Sequence, residues 1–420
     1  MRAAAALLLL ALARVAAGQA PAADAEEQAL KLADQPQAAP ERAGDWHFFA
    51  EGALREIRQH DPQAGRHDGR LSFDLRVDKA FAPGWRAVFA DRYDSTHSED
   101  PAYDRDVNTL KEAYLSWQPA ADRIADLGRV NVRNGVALGY NPTDYLRAGA
   151  LRSVVSLDPV SLRENRMGTG MLRGQALWAS GSLSALYAPK LDAAPSDGSY
   201  NADFGSTNNR DRWLAAFSQK LAGSFSPQWL LQGGAGQSAQ LGVNATALPN
   251  DATVLYLEWS GGRSPSLAAQ AGLVPDDTAF RSRTATGFTY TTPGNLSLTL
   301  EYDYDGAGLD ALGWQALRAG LPAAYAQYRQ FAAQQQDPPT RHNLFFYALW
   351  QDLLMRHLDL ALMLRRDLLD DSRLAWMEWR YHWPKVDLAL QAQVNSGDPG
   401  TQYGAVPERR VVQALLRCYF

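Results

Sequence analysis

A single cysteine, Cys418, stands in a chain of 420 residues, so no intrachain disulfide and no all-cysteine metal site can form. That excludes a disulfide-stapled secreted domain. Past residue 20 there is no long apolar run, which removes a membrane-spanning helix, since one needs roughly 20 apolar residues. Positive charge is not in excess: the formal net charge is −5 and the pI about 5.8, the wrong sign for a general nucleic-acid binder. Histidine is sparse, and His47, His60, His67, His97, His342, His357 and His382 show no metal-binding spacing. HExxH, GxSxG and P-loop signatures are missing. Gly234-Ala235-Gly236-Gln237-Ser238-Ala239 fits a G-x-G-x-x-A dinucleotide pattern, but its neighbours read as strands and not as a βαβ unit. Neither an enzyme nor a cofactor is predicted.

What is present begins with export. Met1 to about Ala20 carries Arg2, an apolar stretch from Ala3 to Ala13, and a small-residue site at Ala16-Ala17-Gly18 or Gly18-Gln19-Ala20. This is the layout of a cleaved secretory signal. Residues 21–45, rich in Ala, Gln, Glu and Pro, predict a flexible periplasmic lead-in. From residue 46 to 420 the apolar period becomes two. The mean hydropathy of −0.33 reads as soluble, yet a membrane barrel gives the same value because only alternate strand residues face lipid. Pattern must therefore decide.

Four segments carry the pattern most clearly. Leu71, Phe73, Leu75 and Val77 oppose Arg70, Ser72, Asp74, Arg76 and Asp78. Leu296, Leu298, Leu300, Tyr302 and Tyr304 oppose Ser297, Thr299, Glu301, Asp303 and Asp305. Leu358, Leu360, Leu362 and Leu364 share one face, and Val386, Leu388, Leu390, Ala392 and Val394 share another. Alternation over this length is a strand signal; a helix would scatter these groups around its axis. A soluble β-sandwich also alternates, but these segments run to about 10 residues, the length of a tilted membrane strand.

Turns then set the count. Tight connections fall at 82–84, 119–122, 180–181, 222–227, 261–265, 292–295, 353–356 and 384. Longer ones fall near 59–68, 95–107, 134–168, 189–210, 237–251, 275–280, 305–340, 367–372 and 396–408. With tight turns periplasmic and long loops extracellular, strict alternation requires a weak strand at Ser266 to Leu273. The prediction is an all-β, transmembrane antiparallel β-barrel of about 18 strands, with 16 as the alternative. Trp46, Trp85, Trp117, Trp178, Trp229, Trp259, Trp350 and Trp383 all land at strand ends on the periplasmic side, as an interfacial aromatic girdle would.

The final segment, RRVVQALLRCYF, ends on its aromatic residue. It resembles the C-terminal assembly signal of outer-membrane proteins, with Gln413 and Phe420 at the matching first and last positions, Leu415 in place of the usual Gly, and Cys418 where an aromatic is commoner. Residues 107–147 hold the most distinctive text: Glu112-Ala113-Tyr114, Gly128-Arg129, Arg133-Asn134-Gly135 and Asn141-Pro142-Thr143-Asp144. On these motifs, about a tenth of its length, the chain resembles a family of large, mostly uncharacterised proteobacterial outer-membrane barrels, and more distantly porin-like and alginate-export barrels. The resemblance implies passage of a solute or export substrate.

Alternation puts Arg129, Asn131 and Arg133 on one face, with Val130 and Val132 on the other. An arginine facing lipid at the midplane costs about 2–4 kcal/mol, so the arginines are expected in the lumen. Arg152, Arg163 and Arg166 in the following long connection, and Arg173 beyond it, complete a predicted arginine lining that would favour anions. Solvated loop charges are the competing reading. Residues 305–340 predict one or two short helices broken at Gly320 or Pro322. Glu99, Asp100, Asp104 and Asp106 read as a charged loop, Arg105 arguing against a calcium site.

The expected function is an outer-membrane channel or exporter passing a small or chain-like solute. A plugged receptor or structural barrel is the alternative, and so is a barrel hydrolase using Glu378, Arg380 and His382. Expected partners are outer-membrane lipids, the barrel assembly machinery and a solute, with homo-oligomerisation left open and no nucleic acid.

Overall fold

A computed structural model describes residues 45–60, 65–221 and 225–420. The export signal and, apart from Asp45, the lead-in lie outside the described residues. Eighteen strands follow one another: β1 (Trp46–Gln59), β2 (Arg66–Ala82), β3 (Trp85–Ser98), β4 (Arg105–Ala120), β5 (Arg123–Val130) and β6 (Thr169–Trp178). Next come β7 (Gly181–Ala188), β8 (Arg212–Gln219), β9 (Gln228–Gly234), β10 (Gln237–Asn250), β11 (Thr253–Ser264) and β12 (Ala279–Thr291). Then β13 (Leu296–Asp305), β14 (His342–Trp350), β15 (Leu358–Asp367), β16 (Arg373–His382), β17 (Val386–Ser396) and β18 (Glu408–Tyr419) complete the wall.

Each strand pairs antiparallel with its neighbours in sequence, and β18 pairs with β1 to close the sheet. Closure leaves no edge strand, so backbone N–H and C=O groups find partners without water, the condition for crossing lipid. The outer face is apolar, with Leu54, Leu127, Leu172, Leu241, Leu300 and Leu390 among the exposed residues. This is a transmembrane antiparallel β-barrel, and it has the eighteen strands counted from the sequence.

The count is right while two of its members were misplaced. Residues 237–250 form β10 and not a long loop; only Ala235-Gly236 joins it to β9. Residues 266–273 are not a strand, because Ser266 caps a helical turn by accepting from Ala269 N–H. The short turn lies at Asp251-Ala252, not at 261–265, where β11 is still paired with β12. Trp259 therefore sits inside β11, whereas Trp46, Trp85, Trp178, Trp229 and Trp350 lie at or beside strand ends on the short-turn side, with Trp117 and Trp383 near them.

The connections on the long-loop side carry the helices. Connection 131–168 contains α1 (Pro159–Glu164). Single turns α2 (Phe204–Thr207) and α3 (Leu267–Gln270) come next, and connection 306–341 contains α4 (Ala311–Ala319) and α5 (Pro322–Gln335). Pro322 opens α5 after α4 stops at Gly320, the break the sequence indicated.

Candidate pore constriction

Connection 131–168 folds into the barrel and divides the inner wall into three sectors. On β5 to β9 a patch of inward residues is apolar: Val130, Met171, Leu186, Leu214 and Leu230 form a buried cluster with Leu146 of the loop, and Val132 and Tyr145 pack against it. Each such side chain fully buried contributes about 1.5–3 kcal/mol, so this sector seats the loop.

On β11 and β13 two carboxylates hold the loop backbone. Val136 and Ala137 donate N–H groups to Glu258, and Asn141 Nδ2 and Thr143 Oγ1 reach it at 3.0 Å. Leu138, Gly139 and Tyr140 donate their N–H groups to Glu301, whose Oε2 also accepts from Tyr256 at 2.8 Å. Gly139 lies so close to Phe345 that an added Cβ would come within 2.5 Å of the ring. Within the loop, Arg166 bonds Asp144 at 2.6 Å.

The third sector, β1 to β4 and β16 to β18, is charged. Glu51 lies between Arg70, Arg92 and Arg417, with Arg92 at 3.3 Å and Arg417 at 2.7 Å. Lys111 meets Asp74 at 2.6 Å, Arg76 meets Glu112 at 2.6 Å, and Arg380 meets Glu378 at 2.7 Å. A bulge in β4 opposite Ala90/Asp91 turns Lys111 and Glu112 inward together. The loop crosses in front of this wall without filling the space. A cavity of about 430 Å³ remains, bounded by Glu51, Asp74, Arg92, Glu378 and Arg417 on the wall and by Arg133, Ser156, Asp158 and Glu164 on the loop.

Asp158 fixes the loop edge. It caps α1 by accepting from Ser161 N–H and accepts from Tyr347 OH at 2.9 Å. Burial pushes its carboxyl up to about 6, against the Ser161 N–H that lowers it, and nearby Glu378 adds to the rise.

The six arginines singled out in the sequence go to different places. Arg133 borders the cavity, although β5 ends before it and it belongs to the loop. Arg173 faces inward from β6 and bonds Asp126 at 2.6 Å. Arg166 braces the loop internally, and Arg163 donates to Asn134 O. Arg152 donates to Gly198 O and Asn201 O of the neighbouring loop 189–211.

Arg129 requires a correction. It is out of phase with inward-facing Asp126 and in register with Ala113 and Gly170, so it leaves the barrel on the outer side. There loop 189–211 covers it: its guanidinium donates to Leu110 O and Ala202 O and lies 4.2 Å from the Phe204 ring centroid. Val130 is correspondingly inside, under the loop. The covering loop removes the lipid contact on which the inward assignment of Arg129 rested.

Gln413 faces the lumen, donating to Gln391 at 3.1 Å, and the Phe420 ring packs tilted against Phe48 across the β1–β18 seam, centroids 5.4 Å apart. His382 is held between Asp387 at 2.9 Å and Asp359 at 3.4 Å. In the 99–104 loop, Asp104 accepts from Ser98 N–H and Asp100 from Ala102 N–H, so both cap turns. The Glu51, Arg92 and Arg417 grouping was not foreseen. Its signal was the charged alternate face of the best-patterned strands.

No protein-family model matches the chain, and no curated protein matches it in sequence. Solved structures do. OccAB1 of Acinetobacter baumannii matches with a TM-score of 0.56 at 11% identity, over 90% of this chain and 98% of that one. OccK5 (OpdH) of Pseudomonas aeruginosa matches with a TM-score of 0.52 at 9% identity, over 90% of this chain and 97% of that one. At these identities the likeness is one of fold, and the fold shared is that of outer-membrane porins.

Proposed function

We propose that this chain is an outer-membrane channel, its short turns periplasmic and its long loops extracellular, that passes small solutes past the edge of the 131–168 loop. The observation that carries the reading is the uneven seating of that loop. It packs on the apolar sector and is held by the carboxylate sector, and it touches the charged one at Val155, whose carbonyl accepts from Arg70, and at Asn131, whose N–H donates to Glu112, leaving a polar cavity of about 430 Å³ between loop and wall. Such a cavity suits hydrated or hydrogen-bonding solutes. The fold shared with OccK5 and OccAB1 agrees with a channel. Phe420 and Gln413 serve as the signal read by the assembly machinery.

A plugged barrel is the second reading, and one observation favours it. Helices α4 and α5 are tied to four other loops through Trp314–Asp370, Tyr325–Gly400, Gln327–Ala271 and Gln336–Arg147, and so roof part of the mouth. Purified protein in a planar bilayer separates the two. Discrete conductance steps are expected, and Arg133→Gln should move the reversal potential toward cations while Arg129→Gln leaves it in place. Absence of steps would sink the channel.

A further inference from the structure

The charges of the constriction fall into two layers. In the deeper one, Glu51 and Arg92 each keep 1% of their side-chain surface and Arg70 keeps 3%, so these groups neutralise one another and shape the wall. The layer a solute meets is different. Arg76 retains 41% of its side-chain surface, Arg417 23% and Glu112 13%, and on the loop Arg133 and Glu164 are exposed beside half-buried Asp158. Among the charged groups that border the cavity, this outer layer thus holds three guanidinium groups and three carboxyl groups.

A monovalent ion entering this space meets an attractive and a repulsive partner in equal number. Its gain from one sign is cancelled by the other, and it loses hydration on the way in. A molecule bearing a cation and an anion a few bonds apart satisfies both sets at once, and each of its charges screens the partner that would repel the other. Wall and loop also carry both signs: Arg76, Arg417 and Glu112 stand opposite Arg133, Asp158 and Glu164. We propose that the constriction selects small zwitterionic solutes over singly charged ions of either sign, an inference that rests on the channel reading above.

The test uses three probes with one carbon skeleton: 4-aminobutyrate, butyrate and butylammonium, each added at neutral pH to the full-length barrel conducting KCl in a planar bilayer. The zwitterion should block current at a concentration about fivefold lower than either singly charged analogue, the factor one partly exposed ion pair supplies. Glu164→Gln and Arg133→Gln should each remove most of that preference while shifting the KCl reversal potential in opposite directions. Heat-modifiable gel mobility would show that both variants keep the barrel. Equal block by all three probes, or a preference that survives both substitutions, overturns zwitterion selection and leaves the channel standing. A barrel that conducts nothing overturns the channel and this inference with it.

Discussion

Inside one closed sheet, β5 to β9 and β1 to β4 with β16 to β18 do opposite things. The first group points Met171, Leu186, Leu214 and Leu230 inward, the reverse of what a water-filled barrel requires. The second points Glu51, Arg70, Asp74, Arg92 and Glu378 inward, where they are buried mainly among one another's charges beside a polar cavity. On the channel reading proposed above, the difference marks the side on which a solute would pass. An apolar inner wall is a seat for the inserted chain, and a charged inner wall would be a bank of the proposed channel. Strand length follows the same division: β7, β8 and β9 have 8, 8 and 7 residues, whereas β1 to β4 have 14 to 17.

The largest effect should come from charging the seat. Leu230 is 1% exposed within the apolar cluster. Leu230→Asp places an unpaired carboxylate there and should weaken loop seating by about 3 kcal/mol. The barrel hydrogen bonds are untouched, so heat-modifiable mobility should persist while unitary conductance rises severalfold. Unchanged conductance would mean that the loop does not depend on this wall.

The same division explains how much could be read from sequence. β2, β13, β15 and β17 were legible because large apolar residues recur at every second position. β10 was not: Leu241 and Val243 are followed on its outer face by Ala245 and Ala247, too small to stand out from Gly242 and Thr246. Arg129 failed for a different reason. Local alternation gives two faces but not which one is inner, and the rule that charge points inward fails where loop 189–211 shelters an outer arginine and an inserted loop covers Val130 on the inner face. Both causes lie in contacts distant in sequence, such as Arg129 with Ala202 and Tyr140 with Glu301. The constriction was half legible. Arg133 was anticipated, whereas the Glu51 grouping unites β1, β2, β3 and β18, which no local window contains.

An intermediate effect is expected where the loop is held by carboxylate. Glu301→Gln keeps one acceptor but aims an amide N–H₂ at the N–H groups of Leu138, Gly139 and Tyr140. Losing charge-assisted bonds to buried donors should cost about 2 kcal/mol. That loosens the loop without expelling it, so the channel should show more open-state current noise and close at lower voltage. A variant as quiet as the parent would shift the anchoring role to Glu258.

The smallest effect belongs to Asp158, which joins the two regions by standing on the loop and facing the charged wall. Its ordinary value of 3.8 rises to about 6, chiefly through burial. Tyr347 of β14 and Glu378 and Arg380 of β16 face it, and Ser161 binds it from α1. Because the folded protein holds this proton more tightly than the unfolded chain does, the stability it contributes is complete below 3.8 and is lost as pH rises through about 6. The loop is therefore best seated in acid. Electrically, lowering the pH from 7 to 5 removes one negative charge from the loop edge while the facing arginines stay charged. The reversal potential should drift toward anions across that interval. Asp158→Asn should show the acid-form selectivity already at pH 7 and no drift on acidification. It should also raise resistance to heat at pH 7 slightly, since the burden of a charged, half-buried carboxylate is gone. A drift of equal size in Asp158→Asn would assign the titration to another group on the charged wall and leave Asp158 with a capping role alone.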